Sequence, residues 1–317
     1  MYLHENKNEF RNIIQIISDR ENIDTDIIEK DYYVCLVLKE LAKKQDYLKA
    51  YFKGGTAVYK ILNTMNRFSE DIDLTVEVLH EESNNSNKTR LKKSALDYKI
   101  SGLELNESKT KDVKQSITAF YQYDSLFVDT KISLHKAGEI QVEATSFTVS
   151  EPTEIYEIEP IIYKYANENE KSILTDNFDI NSFKIKVQKL ERIFIDKLFA
   201  AEMYLERKEY IDLSKHIYDL AIIFATDRIQ HFLSNEYEFN RIVSFKRREE
   251  LARKGGVDAN LKIRDFGYFT CKYTDEMLKA FNLMQDKYIF KEEYRKTIDE
   301  TSEILTKIRK IIEKIEK

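Results

Sequence analysis

Hydrophobic and polar positions in the first hundred residues repeat with two different periods. Two segments have the spacing of amphipathic helices, and the second, 25–43, follows Asp24, a suitable N-cap residue. A short apolar run then leads into Gly54-Gly55 and a further helical pattern, TAVYKILN. From Asp71 to Val78, apolar residues alternate with acidic or polar ones, which predicts a half-buried strand.

The pattern becomes strand-like in the middle of the chain and helical towards its end. We expect a loop at 81–88, three or four strands between 118 and 162, and a polar connector over 167–181. The strand-like segments are TAFYQY, LFVDTKISLH, IQVEATSFTV and EIYEIEPII. The helical segments that follow are 189–208, 213–227, 274–288 and a charged final helix to 317. Strands followed by helices predict an α+β fold with domains at 1–180 and 181–317.

Composition narrows the class of protein. The 317 residues include only two prolines and seven glycines, which favours regular structure, chiefly helix. Two cysteines exclude a disulfide framework and a zinc site built mainly from thiolates. The polar N-terminus lacks the apolar core of a signal peptide, and no segment approaches the roughly 20 apolar residues needed to span a bilayer. These features predict a cytoplasmic protein without membrane contact.

The charge balance limits how the chain can bind nucleic acid. A net charge of −5 excludes a basic field over the whole protein. Any RNA contact therefore needs a local patch, and the segment 241–254 is a candidate. Its alternative interpretation is a solvated helix face. The basic residues counted in this patch are Lys246, Arg247, Arg248, Arg253 and Lys254.

Two aspartates on the predicted strand carry the first chemical signal. Asp71 and Asp73 lie two residues apart, so both carboxylates project from one face of a strand. At about 3.3 Å per residue, their Cα atoms lie roughly 6–7 Å apart. This spacing suits two carboxylates that hold a pair of divalent ions about 3.5–4 Å apart, as in phosphoryl-group displacement. Mg²⁺ prefers such oxygen ligands.

The glycine pair upstream strengthens this interpretation. Gly54-Gly55 ends a short strand and opens a helix at Thr56, so backbone N–H groups can approach a phosphate there. By itself, a D-x-D pair on a strand edge is typical of solvated acids. Combined with GGT and the intervening RFSE, it indicates a nucleotide site.

A third carboxylate is expected on a neighbouring strand, to complete the metal site and help deprotonate an attacking hydroxyl. Glu143 fits, because apolar and polar residues alternate around it in IQVEATS. Asp129 in LFVDTKIS is the alternative. Glu143 can also be an exposed strand acid without a metal.

Charged residues inside apolar helix stripes form a second signal. Lys197 lies near the centre of such a stripe, and an unpaired buried ammonium is costly, so it must meet an acid, reach the surface or face a ligand. Asp219 on the next helix is a possible partner. Beside it, His216 is interpreted as a partly buried histidine. Asp31 repeats the pattern, and we expect it to pair with a base from another element, with a role in holding the cleft as the alternative.

In these motifs the chain resembles the AbiEii/AbiGii toxin family of nucleotidyltransferases, whose relatives include the MenT toxins. The matching segments, in the family's order from Glu29 to Leu220, are IEKDYYV, KGGTAVYK, RFSEDIDL, the strand with VEAT, LERIFIDKLFAAE and KHIYDL. The resemblance implies a polymerase-β-like nucleotidyltransferase core with a mixed sheet, followed by a helical C-terminal domain. Many relatives have a serine after the first glycine, where this chain has Gly55.

The resemblance also implies roles for individual residues. Asp71, Asp73 and Glu143 would bind Mg²⁺ or Mn²⁺, and Lys197 and Asp219 fall on the family's later catalytic motifs. The residues expected to bind the nucleotide are Lys53, Gly54, Gly55, Thr56, Arg67 and Ser69. The implied reaction transfers a nucleoside monophosphate from an NTP to an acceptor hydroxyl and releases pyrophosphate. By analogy the acceptor is a tRNA 3′ end, and a cognate antitoxin restrains the toxin.

Other functions remain open from the sequence. A D-x-D glycosyltransferase with Mn²⁺ would explain the acids but neither the GGT turn nor Lys197. A nucleotidyltransferase with a small-molecule or protein acceptor fits the same motifs. The non-enzymatic alternative is a module that binds nucleotide without turnover, and the intact Asp71, Asp73 and Lys197 argue against it.

Overall fold

A computed structural model of the chain describes residues 1–127, 137–253 and 255–317. Its α-helices are α1 (Lys7–Glu21), α2 (Thr25–Leu48), α3 (Gly54–Leu62), α4 (Asn84–Leu96), α5 (Ile161–Lys164), α6 (Glu168–Phe178), α7 (Leu190–Glu206), α8 (Tyr210–Phe224), α9 (Asp227–Ser234), α10 (Glu236–Ala252), α11 (Asp275–Tyr288) and α12 (Ile298–Ile315). Its strands are β1 (Ala50–Lys53), β2 (Ile72–Val76), β3 (Leu103–Leu105), β4 (Lys111–Val113), β5 (Ser116–Tyr123), β6 (Glu139–Thr145), β7 (Thr153–Ile158) and β8 (Phe183–Gln188).

The strands of the described residues form one mixed sheet in the order β3-β5-β6-β2-β1-β8-β7, with β4 paired to β5. Strand β2 is parallel to β6 and antiparallel to β1, and β1 is parallel to β8. This sheet with its helices confirms the predicted α+β class and the mixed sheet.

The chain divides into two compact units. The first comprises 1–64, 68–146 and 153–187, and the second comprises 65–67, 147–152 and 188–317. The sequence suggested a single boundary after residue 180, which would put all of β8 in the second unit. In the structure, every residue of β8 except Gln188 belongs to the first unit. The short segments 65–67 and 147–152 cannot be assigned from local sequence, because membership depends on long-range contacts.

Helix α2 is the central helix of the first unit. Fourteen of its 24 residues are buried, and it packs against α1, α4, α5, β1 and β6. A helix surrounded on several sides needs apolar residues around most of its circumference. Its charged residues at buried positions must therefore find partners within the unit.

The second unit is built from helices α7 to α12. Helices α7 and α8 pack together, and α8 also contacts α11 and α12. The apolar stripe predicted for α7 is buried as expected, including Phe194, Leu198 and Ala201, each 0% exposed. The helices predicted at 189–208, 213–227 and 274–288 are confirmed within a few residues at each end.

Two predicted loops are wrong in part or in full. The connector at 167–181 is mostly helix α6, which begins with a capping box between Asn167 and Glu170 and buries Leu174 and Phe178. The polar stretch 81–88 already contains the first turns of α4, which starts after the Ser83 cap. Of the predicted strand segments, three are confirmed as β5, β6 and β7, and most of LFVDTKISLH lies outside the described residues.

Within the described ranges, no helix combines the length and apolar character that a membrane crossing requires.

Candidate active site

The two aspartates lie at the start of β2, a strand inside the sheet that lies between β6 and its antiparallel partner β1. Asp71 directly precedes the strand and Asp73 is its second residue. Ile72 and Leu74 are fully buried, while Asp73 is only half-buried. The predicted alternation is present from Ile72 to Leu74, and the Asp73 carboxylate lies on the opposite face from these two apolar side chains. It ends in the last two residues of β2, which are both buried.

Glu143 lies beside Asp73 on the neighbouring strand. In the parallel pairing of β2 with β6, Asp73 and Glu143 are Cα partners. Adjacent strands are about 4.8 Å apart and in-register side chains share a face, so these two carboxylates belong to one face of the sheet. The alternative third carboxylate, Asp129, lies outside the described residues.

Lys53 completes this row of charged residues. On the other side of β2, the antiparallel pairing with β1 makes Lys53 the Cα partner of Asp73. Asp73 is thus flanked across the sheet by a cation on one side and by Glu143 on the other. Lys53 and Glu143 lie 90 residues apart in the chain (143 − 53), so a local sequence pattern cannot reveal this arrangement.

Gly54 provides space for the Asp73 carboxylate. It has a φ of +81°, and a Cβ atom at this position would lie 1.9 Å from Oδ2 of Asp73. No L-residue with a side chain fits there without a shift of Asp73. This contact gives a physical reason for the first glycine of the pair, in addition to the predicted approach of a phosphate.

We expect Gly54→Ala to destabilise the chain by at least about 1–2 kcal/mol through the left-handed backbone alone. It should also abolish activity that depends on Asp73, because the new methyl group displaces the carboxylate. Thermal unfolding and a transfer assay measure the two effects.

Gly102→Ala is the matched control for backbone strain. Its φ is +72°, and among the described residues an added Cβ would meet the ring of His4, at 3.0 Å. It should lower stability and leave activity intact. Full activity in Gly54→Ala would show that the position of Asp73 does not matter.

Thr56 holds the segment that enters β2. Its side chain is fully buried, and its hydroxyl donates a hydrogen bond of 2.6 Å to the backbone carbonyl of Asp71. Thr56 was expected to line the triphosphate, whereas its observed contact fixes the Asp71 backbone. Gly55, the second residue of α3, is half-buried, and without a side chain it leaves its backbone N–H open to the predicted phosphate.

The donor atoms at this edge of β2 are oxygens, as a hard divalent cation requires. Throughout 1–127, 137–253 and 255–317, no set of three or more His, Cys, Asp or Glu side chains is already arranged to hold a metal ion. The register pair of Asp73 and Glu143, with Asp71 two residues from Asp73, nevertheless fits the donor chemistry of such an ion. The ligand set stays a prediction.

In the second unit, Lys197 meets an acid. Its Nζ atom lies 2.5 Å from Oδ2 of Asp219 on α8, and both side chains are almost completely buried. Arg67 binds the same carboxylate with two hydrogen bonds, of 2.9 and 2.7 Å. The sequence left three alternatives for Lys197, namely an acid, the surface or a ligand. The structure shows the first of them, with the possible partner Asp219 as the acid.

Electrostatics keep the Asp219 carboxylate ionised. Burial raises the pKa of Asp219, but the charges of Arg67 and Lys197 outweigh it and hold the pKa well below its usual range. Nearby His216 is also enclosed, and burial together with the Lys197 charge depresses its pKa strongly. Its ring stacks on Tyr204 with centroids 5.2 Å apart, consistent with the expected structural histidine.

Comparison with known protein families shows to which family the chain belongs. Residues 36–306 match the family described as nucleotidyl transferase AbiEii toxin, type IV TA system. The chain belongs to the AbiEii family. No curated protein matches the sequence. Membership makes the chain a nucleotidyltransferase-family toxin, with an NTP as substrate class and an antitoxin as partner class.

Three further residues of this AbiEii-family chain were singled out in the sequence, namely Arg67, Ser69 and Asp31. Arg67, expected at the nucleotide, directs its guanidinium to Asp219. Ser69 is half-buried between Phe68 and Glu70. Asp31 is fully buried and pairs with Lys60 on α3 at 2.6 Å, as a base from another element should.

Two cations of the basic stretch of this AbiEii-family chain, Lys246 and Arg247, bind groups of their own unit, whereas Arg248 is exposed. Lys246 is buried and lies 2.7 Å from Glu250. Arg247 donates to the carbonyl of Leu261 at 2.8 Å, and Lys254 lies outside the described residues. The structure thus favours an internal role for Lys246 and Arg247 over an RNA-binding patch.

Proposed function

We propose that the chain is a divalent-metal-dependent nucleotidyltransferase that acts as a bacterial toxin and transfers a nucleoside monophosphate to a tRNA 3′ end. The observation that carries this proposal is the register of Asp73 with Glu143, combined with the contact of Gly54 on the Asp73 carboxylate. The tRNA acceptor follows from the resemblance to the family's relatives alone.

In this proposal, residues of the first unit bind the metal ion, accept the proton and orient the triphosphate. Asp71 and Asp73, with Glu143, would hold Mg²⁺ or Mn²⁺. The cation would supply charge stabilisation to the phosphate oxygens as the phosphoryl group is displaced. Glu143 would accept the proton of the incoming hydroxyl. Lys53 and the backbone of Gly54-Gly55 would orient the triphosphate, and Thr56 would keep Asp71 in place through its carbonyl.

The test incubates the purified chain with each α-³²P-labelled NTP, Mg²⁺ and total bacterial tRNA. Label on tRNA that requires Mg²⁺ would support the proposal and identify the nucleotide. Label that appears only on a protein or on an aminoglycoside would support the transfer and overturn the tRNA acceptor. Absence of label on every acceptor with all four NTPs would favour a nucleotide-binding module.

Lys197 and Asp219 stay predicted catalytic residues, and Lys197→Met tests one of them. Asp219 keeps its two hydrogen bonds from Arg67 in this variant, so we expect the chain to stay folded. Transfer should fall by about a hundredfold or more if the ammonium stabilises charge during the reaction. Single-turnover rates measure the effect.

Lys215→Met is the control for Lys197→Met. Lys215 lies on the same unit in an ion pair of 3.0 Å with Asp212, and both side chains are partly exposed. It should keep the unsubstituted rate. Equal rates in both variants would assign Lys197 a structural role only.

A further inference from the structure

Three consecutive charged residues in the first unit are buried, and the proposed reaction does not use them. Glu29, Lys30 and Asp31 of α2 are 1%, 3% and 0% exposed. Successive residues of a helix point about 100° apart, so these side chains reach three different neighbours. Each buried charge requires a partner, and each partner is thereby fixed.

The two outer residues anchor distant parts of the first unit. Glu29 accepts a hydrogen bond of 2.8 Å from the backbone N–H of Leu126. Asp31 binds Lys60 at 2.6 Å and accepts a hydrogen bond of 2.7 Å from the backbone N–H of Ile161. Both carboxylates therefore tie α2 to neighbouring elements.

The middle residue reaches the predicted metal strand. Lys30 forms an ion pair with Glu70, and their side chains are only 3% and 14% exposed. Glu70 directly precedes Asp71 in the chain. On the next residue, the carbonyl of Asp71 is held by the Thr56 hydroxyl. The entry to β2 is thus fixed at two successive residues, from α2 by Lys30 and from α3 by Thr56.

We infer that Lys30 is a positioning residue for the metal-binding carboxylates of Asp71 and Asp73. It acts through Glu70, whose carboxylate it keeps engaged so that the backbone enters β2 in one arrangement. The inference deepens the proposed function and rests on it, because it presumes that these aspartates bind the divalent cation.

Positioning and simple electrostatics predict opposite signs for Lys30→Met. Coulomb attraction to a cation would become stronger when a nearby positive charge is removed, so affinity would rise. Loss of positioning would lower affinity. Substitution of a supporting residue outside the ligand set typically weakens metal binding by 10–100-fold, and we expect the Kd for Mn²⁺ to rise roughly tenfold.

The experiment measures Mn²⁺ binding to the full chain by the loss of the free-ion electron paramagnetic resonance signal. Lys30→Met and Glu70→Gln should weaken binding to a similar degree. Their double variant should bind no more weakly than either single one if the Lys30–Glu70 ion pair is what positions the strand, because all three variants remove that ion pair. Lys30→Arg should restore most of the affinity. Thermal unfolding confirms that each variant is folded at the temperature of the titration.

Lys186→Met controls for the loss of one lysine in the same unit. Lys186 pairs with Asp46 at 2.9 Å on the surface, where the side chains are 39% and 88% exposed. It should bind Mn²⁺ like the unsubstituted chain. If Lys30→Met does not fold, Lys30→Gln takes its place, because it also removes the positive charge and so keeps the opposite signs of the two explanations.

Several outcomes would overturn the inference. Unchanged or tighter Mn²⁺ binding in Lys30→Met and Glu70→Gln would leave Lys30 a purely structural cation. Additive losses in the double variant would show that the two residues act independently. An unsubstituted chain whose Mn²⁺ binding is absent, or is unaffected by Asp73→Asn, would instead refute the metal site itself and the role of Lys30 with it.

Discussion

Asp73→Asn should abolish nucleotidyl transfer while the chain remains folded. The amide keeps the size of the side chain next to Gly54 but removes the negative charge that would hold the cation. Charge stabilisation by a bound metal contributes several kcal/mol to a phosphoryl transfer. Since each 1.4 kcal/mol corresponds to a factor of ten, the rate should fall by about a thousandfold or more. Single-turnover labelling with the preferred NTP measures this loss.

Asp112→Asn is the matched control on the same sheet. Asp112 lies on the exposed strand β4 and pairs with Lys92 at 3.1 Å, with both side chains well exposed. Its rate should equal that of the unsubstituted chain. A rate within tenfold of the unsubstituted chain for Asp73→Asn would show that the β2 carboxylates are not the metal ligands.

Asp219→Asn should produce the largest loss of stability. It leaves the buried cations Arg67 and Lys197 without their shared carboxylate. Removing one partner from a buried ionic group typically lowers the free energy of unfolding by about 3–5 kcal/mol. Urea unfolding followed by circular dichroism measures the change.

Asp212→Asn provides the comparison for Asp219→Asn on the same helix. It removes a partly exposed pair with Lys215, three residues away. Exposed pairs contribute about 0–1 kcal/mol. Equal losses for the two variants would contradict the interpretation of Asp219 as the centre of a buried ionic group.

The depressed pKa of Asp219 gives this stabilisation a pH dependence. Its folded pKa lies well below the value of about 3.9 expected in the unfolded chain. The contribution of Asp219 is therefore complete above about pH 4 and is lost as the pH falls towards the folded pKa. The stability difference between the unsubstituted chain and Asp219→Asn should stay constant from pH 7 to about 5 and shrink below pH 4. A constant difference down to pH 3 would contradict the assignment.

Local sequence predicts an element when its own residues decide the conformation. The apolar stripe of α7 is such a case, because it is buried on the face that its period defines. In β2 the same holds from Ile72 to Leu74, whereas Thr75 on the other face is also fully buried. Helix α6 had a readable signal in the Asn167–Glu170 capping box, which the polar composition of its sequence concealed. Helix α4 offers weaker local signals, and it packs through Leu91 and Ala95 in contact with β5 and β6.

Charged residues at apolar positions were recognised from the sequence, but their partners were only partly recognised. Periodicity suffices to say that Lys197 and Asp31 lie at apolar positions and need compensation, which for Lys197 meant an acid, the surface or a ligand. The pairing of Lys197 with Asp219 was available from two neighbouring helices. Arg67 lies 152 residues from Asp219 along the chain, and Lys60 pairs with Asp31 from α3, which follows α2 after strand β1. Neither distance is encoded in a local pattern.

The sequence by itself determined that Asp73 lies on the half-buried face of a strand, that a glycine pair precedes it, and that Lys197 lies within a buried stripe. These features depend on periods of two and 3.6 residues and on the geometry of single residues. Only the tertiary structure decided that Glu143 lies opposite Asp73, that the Asp73 carboxylate occupies the space beside Gly54, and that Lys30 reaches Glu70. Strand register and buried ion pairs join residues far apart in the chain, so they are fixed by the packing of the whole unit.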